Sequence, residues 1–350
     1  TDVRGVRVGH VTYVEDNAEI PGIPAKTCVR TGVTAILPGG GDVYNRHIVA
    51  GGFVLNGIGE MAGLTQVREW GWIETPIMLT NTVSVGTIYR GLIDYMAGTH
   101  PELNESGEVI IPLIGETDDS FLNDVRVEKI TTGDAARAIR AARGGTVAQG
   151  SIGAGTGMTS FDFAGGIGTS SRVIPGREKK YTIGVLVLSN FGRMRNLTVN
   201  GAVVGRELDA LYPKEGRRFE SYGSAIVIGA TDAPMLPSQL TRIAKRSALG
   251  LGRVGSHASS RSGEIIIAFS TGNRVERSER GRRHLSMRFI SDRRIDPFYE
   301  AVIEATEEAV LNALFCSGGM KGRDDHVSPP LPHDLVLGMI RAARREGRRS

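Results

Sequence analysis

A chain of 350 residues, 40% hydrophobic and 23% charged, has the composition of an ordinary folded protein rather than a disordered or fibrous one. Its net charge is only +4, and the densest charged stretch, RVERSERGRR (274–283), mixes signs and lacks aromatic residues, so nucleic acid is not an expected partner. Two cysteines, Cys28 and Cys316, exclude a disulfide framework and are expected as reduced, buried thiols.

Taken in chain order, the N-terminal TDVRGVRVGH has no apolar h-region, and no later segment is apolar for long enough to cross a membrane. The expectation is a cytoplasmic protein without membrane association, or a periplasmic one where a leader has been removed. Short apolar runs then recur: VTAILPGG (33–40), GGFVLNG (51–57), EVIIPLIGE (108–116), YTIGVLVLSN (181–190), SAIVIGATD (224–232) and EIIIAFST (264–271). They are rich in β-branched residues and apolar at consecutive positions, which predicts strands covered on both faces. Helical patterns lie between and after them, at 133–143, 236–252, 297–316 and near the C-terminus from 335. The segment 236–252 places Pro237 and Ser238 at its start and glycines at its end, as helix termini do. The alternation predicts a layered α/β protein, sheets flanked by helices, in one domain. The 47 glycines, spread along the chain, suit strand–turn junctions and close backbone approaches.

Several motifs fail on inspection. The glycine-rich stretches GSIGAGTGM (150–158) and GGIGTSSR (165–172) lack the strand-before, helix-after context of a dinucleotide fingerprint. Turns and tight packing explain them better. Seven scattered histidines form no zinc pattern, so no metal is expected. No serine sits in GxSxG, and His257, in GSHASS, reads as a loop histidine.

Gly223-Ser224 survives. The polar stretch 212–223 leads directly into a buried-strand pattern that begins with a serine. A serine hydroxyl needs a base beside it to act as a nucleophile. Cleavage before Ser224 would give that residue a free α-amine with a pKa of roughly 7.7–8.0, suited to take a proton at neutral pH. Glycine at 223 suits the contorted peptide that self-attack requires.

Motifs along nearly the whole chain carry a resemblance: NGIGEMAG (56–63), GETDDSFLND (115–124), GAGTGM (153–158), GGIGTSSR (165–172), SNFGRMRNLTVNGAVVG (189–205), SYGSAIVIGATDAPMLP (221–237) and RSGEIIIAFSTGN (261–273). In this order they resemble the L-aminopeptidase/D-Ala-esterase family, which includes the β-peptidyl aminopeptidases. The resemblance implies an αββα sandwich like that of N-terminal-nucleophile hydrolases, with different strand connections. It also implies self-cleavage at Gly223–Ser224 into subunits 1–223 and 224–350, a homotetramer of such protomers, and no cofactor. The implied substrates are small peptides, amides or esters with a free amino group.

Position by position, the resemblance makes Ser224 the nucleophile. Ser262 and Glu264 become the hydroxyl and acid that orient it, Asn190 the oxyanion amide, and Glu116 the carboxylate for the substrate's amine. Two residues apart on a strand, Ser262 and Glu264 point to one side. From the residues alone, a turn serine and an edge glutamate is the favoured reading. Asp118 stands where the family often has an aromatic residue, so a second carboxylate near Glu116 is expected to bear on specificity, with Tyr222 a candidate for the missing ring. Two other readings stay open. One is an acyl transferase of the ornithine acetyltransferase kind, and the other is an unprocessed, non-catalytic homologue.

Overall fold

Along the strand that carries Ser224, side chains alternate between two cores: Ala225 and Val227 face one, Ile226 and Ile228 the other. Such a strand is covered on both faces, which is why its sequence is almost continuously apolar. The computed structural model describes residues 1–40, 42–103, 109–176, 179–218, 222–279 and 281–346.

The chain opens with β1 (Arg7–Ile20), β2 (Ile23–Leu37) and β3 (Arg46–Gly57), followed by the short β4 (Met61–Ala62), α1 (Leu64–Trp70) and β5 (Trp72–Ile73). Next come β6 (Ile77–Asn81), α2 (Val85–Thr99), β7 (Leu113–Thr117) and α3 (Gly133–Ala141). A tight hairpin of β8 (Thr159–Ser160) and β9 (Phe163–Ala164) precedes β10 (Gly166–Ile174), β11 (Tyr181–Asn190) and α4 (Gly205–Leu211). The rest is β12 (Tyr222–Thr231), α5 (Pro237–Arg253), β13 (Arg261–Glu276), α6 (Asp296–Phe315), the short pair β14 (Met320–Lys321) and β15 (Val327–Ser328), and α7 (His333–Glu346).

Two sheets form. One has the order β1-β2-β6-β7-β4, the other β10-β11-β12-β13-β3-β5. Between them lies an apolar core that includes Ile36, Leu79, Leu188, Ile226, Ile267 and Phe269. Outside the larger sheet, α5 and α6 contribute Leu240, Ile243, Val302 and Ala305 to a second core. Outside the smaller sheet, α2 and α3 contribute Ile88, Leu92 and Ala138 to a third. The layering is therefore αββα, as expected.

The predicted strands at 181–190, 224–232 and 264–271 match β11, β12 and the middle of β13. The glycines at 165–172 open β10, which forms an antiparallel hairpin with β11 and packs on α6, where a methyl at Gly168 would meet the Ala309 carbonyl. Two expectations need correction. The run 108–116 is a strand only from Leu113, because Pro112 interrupts it and Val109 is 78% exposed; Glu108 lies outside the described residues. Both cysteines are free, but Cys316 is exposed and Cys28 only half-buried, because Cys316 falls just past the end of α6.

Candidate active site

Gly223 and Ser224 are the second and third residues of β12. Gly223 has φ +157°, and a Cβ there would lie 2.1 Å from the Asn190 carbonyl oxygen, so the position before Ser224 is closed to side chains. Ser224 pairs with Asn190 across the antiparallel β11–β12 ladder and with Gly263 across the parallel β12–β13 ladder. It is 7% exposed, and its hydroxyl makes no hydrogen bond among the described residues.

Asn190 is buried and its amide orientation is fixed. Its Oδ1 accepts from the Thr159 N–H at 2.9 Å, and its Nδ2 donates to the Asp118 carbonyl at 2.7 Å, leaving one amide hydrogen. The Arg218 guanidinium adds contacts at 3.4 Å to both Asn190 oxygens and donates to the Thr159 carbonyl at 2.7 Å. Arg218 belongs to the polar loop before the serine, and nothing in its sequence context marked it.

Ser262 and Glu264 are buried and joined directly, the Ser262 hydroxyl donating to Glu264 Oε1 at 2.5 Å. Burial pushes the Glu264 carboxyl above its usual range, with the Ser262 bond opposing it, and Oε2 is buried without a partner. The register pairs Gly223 with Ser262 and Ala225 with Glu264. By strand alternation, the pair shares the helix-side face with Ala225, while Ser224 and Asn190 share the inter-sheet face with Ile226 and Leu188. The Ser262–Glu264 pair thus flanks the main chain of Ser224.

Glu116 lies in the opposite sheet, near the end of β7, which packs on β12: a methyl added to neighbouring Gly115 would come within 3.2 Å of Ile226. Glu116 is 3% exposed. Its Oε1 accepts from the Glu60 N–H at 2.8 Å, and its Oε2 accepts from the Thr82 hydroxyl. Burial raises its pKa, with the Asp118 and Glu60 charges adding to this, while the Thr82 hydroxyl and the Glu60 N–H oppose it. Its hydrogen-bond partners are neutral donors, so an ammonium group would supply the cation it lacks.

Asp118 is half-buried and bonds the Ser120 N–H through its own carboxylate at 2.8 Å. Asp119 is buried and pushed up to about 7 by desolvation. The backbone from Glu116 to Asp119 therefore reaches both the Asn190 amide and the buried carboxylates.

The structure pairs Asn190 with Ser224, ties the Asn190 amide to the Asp118 carbonyl and sets Glu116 on the facing sheet, with Ser262 and Glu264 on the other face of the nucleophile's strand. Thr82 and the Glu60 N–H were not legible as site groups, since only the fold carries them to Glu116. The Tyr222 side chain lies outside the described residues. His257 is exposed and meets Asn196 at 3.3 Å, remote in role from any serine nucleophile.

A family model for Peptidase family S58 matches residues 1–328. The beta-peptidyl aminopeptidase BapA of Sphingosinicella microcystinivorans is 39% identical over 99% of this chain and 88% of its own length. A Burkholderia sp. beta-aminopeptidase structure superposes with TM-score 0.87 at 37% identity, covering 97% of this chain and 92% of that one. The L-aminopeptidase D-Ala-esterase/amidase of Ochrobactrum anthropi superposes with TM-score 0.90 at 34% identity over 98% and 93% of the two chains. It is described as a prototype for the serine aminopeptidases and a variant of the Ntn hydrolase fold.

Proposed function

The chain belongs to peptidase family S58 and is a serine aminopeptidase of the N-terminal-nucleophile type, and from that premise we propose that Ser224 is both the point of self-cleavage and the nucleophile. The observation that carries the reading is a single sheet position: Ser224 lies between Asn190 and Gly263, with Ser262 and Glu264 flanking its backbone.

In self-processing, Ser224 Oγ attacks the Gly223 carbonyl carbon and the peptide C–N bond breaks. The Gly223 acyl group moves to oxygen as an ester, and the Ser224 α-amine is set free. Water hydrolyses the ester, leaving chains of 223 and 127 residues. In turnover, Glu116 holds the substrate's ammonium and Ser224 Oγ attacks the adjacent carbonyl. The hydroxyl proton passes to the α-amine and then to the leaving amine. Asn190 Nδ2 donates to the oxyanion. Water releases the amino acid from the Ser224 ester and restores the hydroxyl. The Ser262 proton is committed to Glu264, so the Ser262 oxygen serves as an acceptor that orients the α-amine.

Small peptides, amides and esters with a free amine are the substrates in this reading, and the protomers assemble as a homotetramer, which light scattering tests. The primary experiment compares intact masses and aminopeptidase activity of the wild type and Ser224→Ala. Two fragments meeting at Gly223/Ser224 in the wild type, with an uncut and inactive variant, are expected. Wild-type activity in Ser224→Ala would sink the assignment.

A further inference from the structure

Asp119 is a fully buried carboxylate that the proposed mechanism leaves unused. Among the described residues no cation bonds it: Asn81 Nδ2 donates to Oδ2 at 3.0 Å and Asn123 Nδ2 donates to Oδ1 at 3.1 Å. Keeping a carboxylate in such a place is costly compared with an apolar residue, so what its partners do next matters.

Asn81 is the last residue of β6 and has a second task. Its Nδ2 also donates to Thr31 Oγ1 at 2.8 Å, and its Oδ1 accepts from the Ser84 N–H at 2.9 Å, capping the single 3-10 turn Thr82–Ser84. The first residue of that turn is Thr82, whose hydroxyl donates to Glu116. Because β6 and β7 run parallel with Thr80 opposite Glu116, the turn can reach the carboxylate only while its start is held at the strand end.

We propose that Asp119 is a positioning residue for the amine-binding carboxylate: it anchors Asn81, Asn81 caps the 82–84 turn, and the turn delivers the Thr82 hydroxyl to Glu116. This rests on the reading of Glu116 as the site for the substrate's amine. The chemistry of the link makes it specific. All hydrogen bonds of Asp119 to side chains are accepted, and an amide introduced at 119 must turn its NH₂ toward that of Asn81 or that of Asn123. Asn81 can relieve such a clash only by flipping its own amide, and that removes the acceptor from the Ser84 N–H. Exchanging the two side chains restores the pattern with donor and acceptor reversed.

The test uses full-length protein, intact mass to follow processing, and steady-state kinetics on alanine p-nitroanilide. Glu116→Gln runs in parallel. Asp119→Asn is expected to self-process, since cleavage at Gly223–Ser224 uses no substrate amine. It should raise KM about tenfold, the worth of one hydrogen bond to a charged group, with kcat within about threefold of wild type. The double variant Asn81→Asp/Asp119→Asn should bring KM back to within about threefold of wild type, which a merely structural role for Asp119 would not produce. A processed Asp119→Asn enzyme with wild-type KM, beside a Glu116→Gln enzyme with raised KM, overturns the proposal. Failure of the double variant to recover KM overturns it as well. If Asp119→Asn does not fold, Thr82→Val decides: a raised KM supports the relay, and an unchanged KM removes it. If Glu116→Gln itself leaves KM unchanged, the amine-site reading fails, and the proposal falls at its premise rather than at Asp119.

Discussion

Asn190 and Ser224 occupy the same rung of the antiparallel β11–β12 ladder, and the Asn190 amide is held by Thr159 and Asp118 with one amide hydrogen to spare. An oxyanion donor on the rung of its nucleophile costs no reorganisation during the reaction. Replacing Asn190 by alanine in processed enzyme is expected to lower kcat by about 10²–10³ while KM moves much less. Steady-state kinetics on an amino acid p-nitroanilide measure this. A fall confined to KM would place Asn190 in substrate binding and outside the oxyanion site.

Gly223 leads to a prediction about processing. The φ of +157° and the 2.1 Å approach of a would-be Cβ to the Asn190 carbonyl mean that alanine cannot be seated without moving β11 or β12. Gly223→Ala is expected to remain uncut, or to process far more slowly than wild type, and to be destabilised by about 1–3 kcal/mol of backbone strain. Intact mass over hours after purification, together with thermal melts against uncut Ser224→Ala, reads both effects. Prompt cleavage would show that the scissile peptide relaxes away from this geometry first.

The Glu116 carboxyl suggests a titration experiment. Its pKa is raised by burial and by Asp118, so it takes up its proton at a higher pH than an ordinary glutamate, and on acidification it loses its hold on an ammonium ligand early. Competitive inhibition by a simple amino alcohol should therefore weaken as pH falls through that raised value. In Asp118→Asn the neighbouring negative charge is gone, the Glu116 pKa falls, and the weakening shifts to lower pH. The same variant should lose preference for a lysine over an alanine p-nitroanilide by a few-fold, about what a partly screened charge contributes. An inhibition profile identical to wild type would remove Asp118 from the electrostatics of the amine site.

Sequence reading succeeded where local pattern and final environment agree. β11, β12 and the centre of β13 are covered on both faces, so their apolar runs are nearly unbroken. It failed where burial is one-sided or interrupted. β1 is long, but its second half alternates exposed and half-buried residues, and α2, VGTIYRGLIDYMAGT, begins with Val and Gly and carries no side-chain cap at its Ser84 N-cap position. In the site, Ser262 and Glu264 are two residues apart on one strand, and their pairing was visible as spacing. Thr82 and Glu116 are 34 residues apart and meet only because β6 and β7 pair in parallel, a relationship that no local pattern contains.

The order of the larger sheet has a consequence for the protein's life after cleavage. β13 and all of β12 from Ser224 onward lie side by side between β11 and β3, both N-terminal to Gly223. A cut at Gly223–Ser224 leaves the β12–β13 pair of one polypeptide wedged between strand pairs of the other, so neither holds the larger sheet alone. Unfolding would then release two molecules from one, and refolding would require them to find each other. The melting temperature of the cleaved protein should rise with its concentration, whereas that of uncut Ser224→Ala should not, apart from any shared dependence on assembly of protomers. Maturation would in this way turn a reversible fold into an assembly that, once lost at low concentration, does not return.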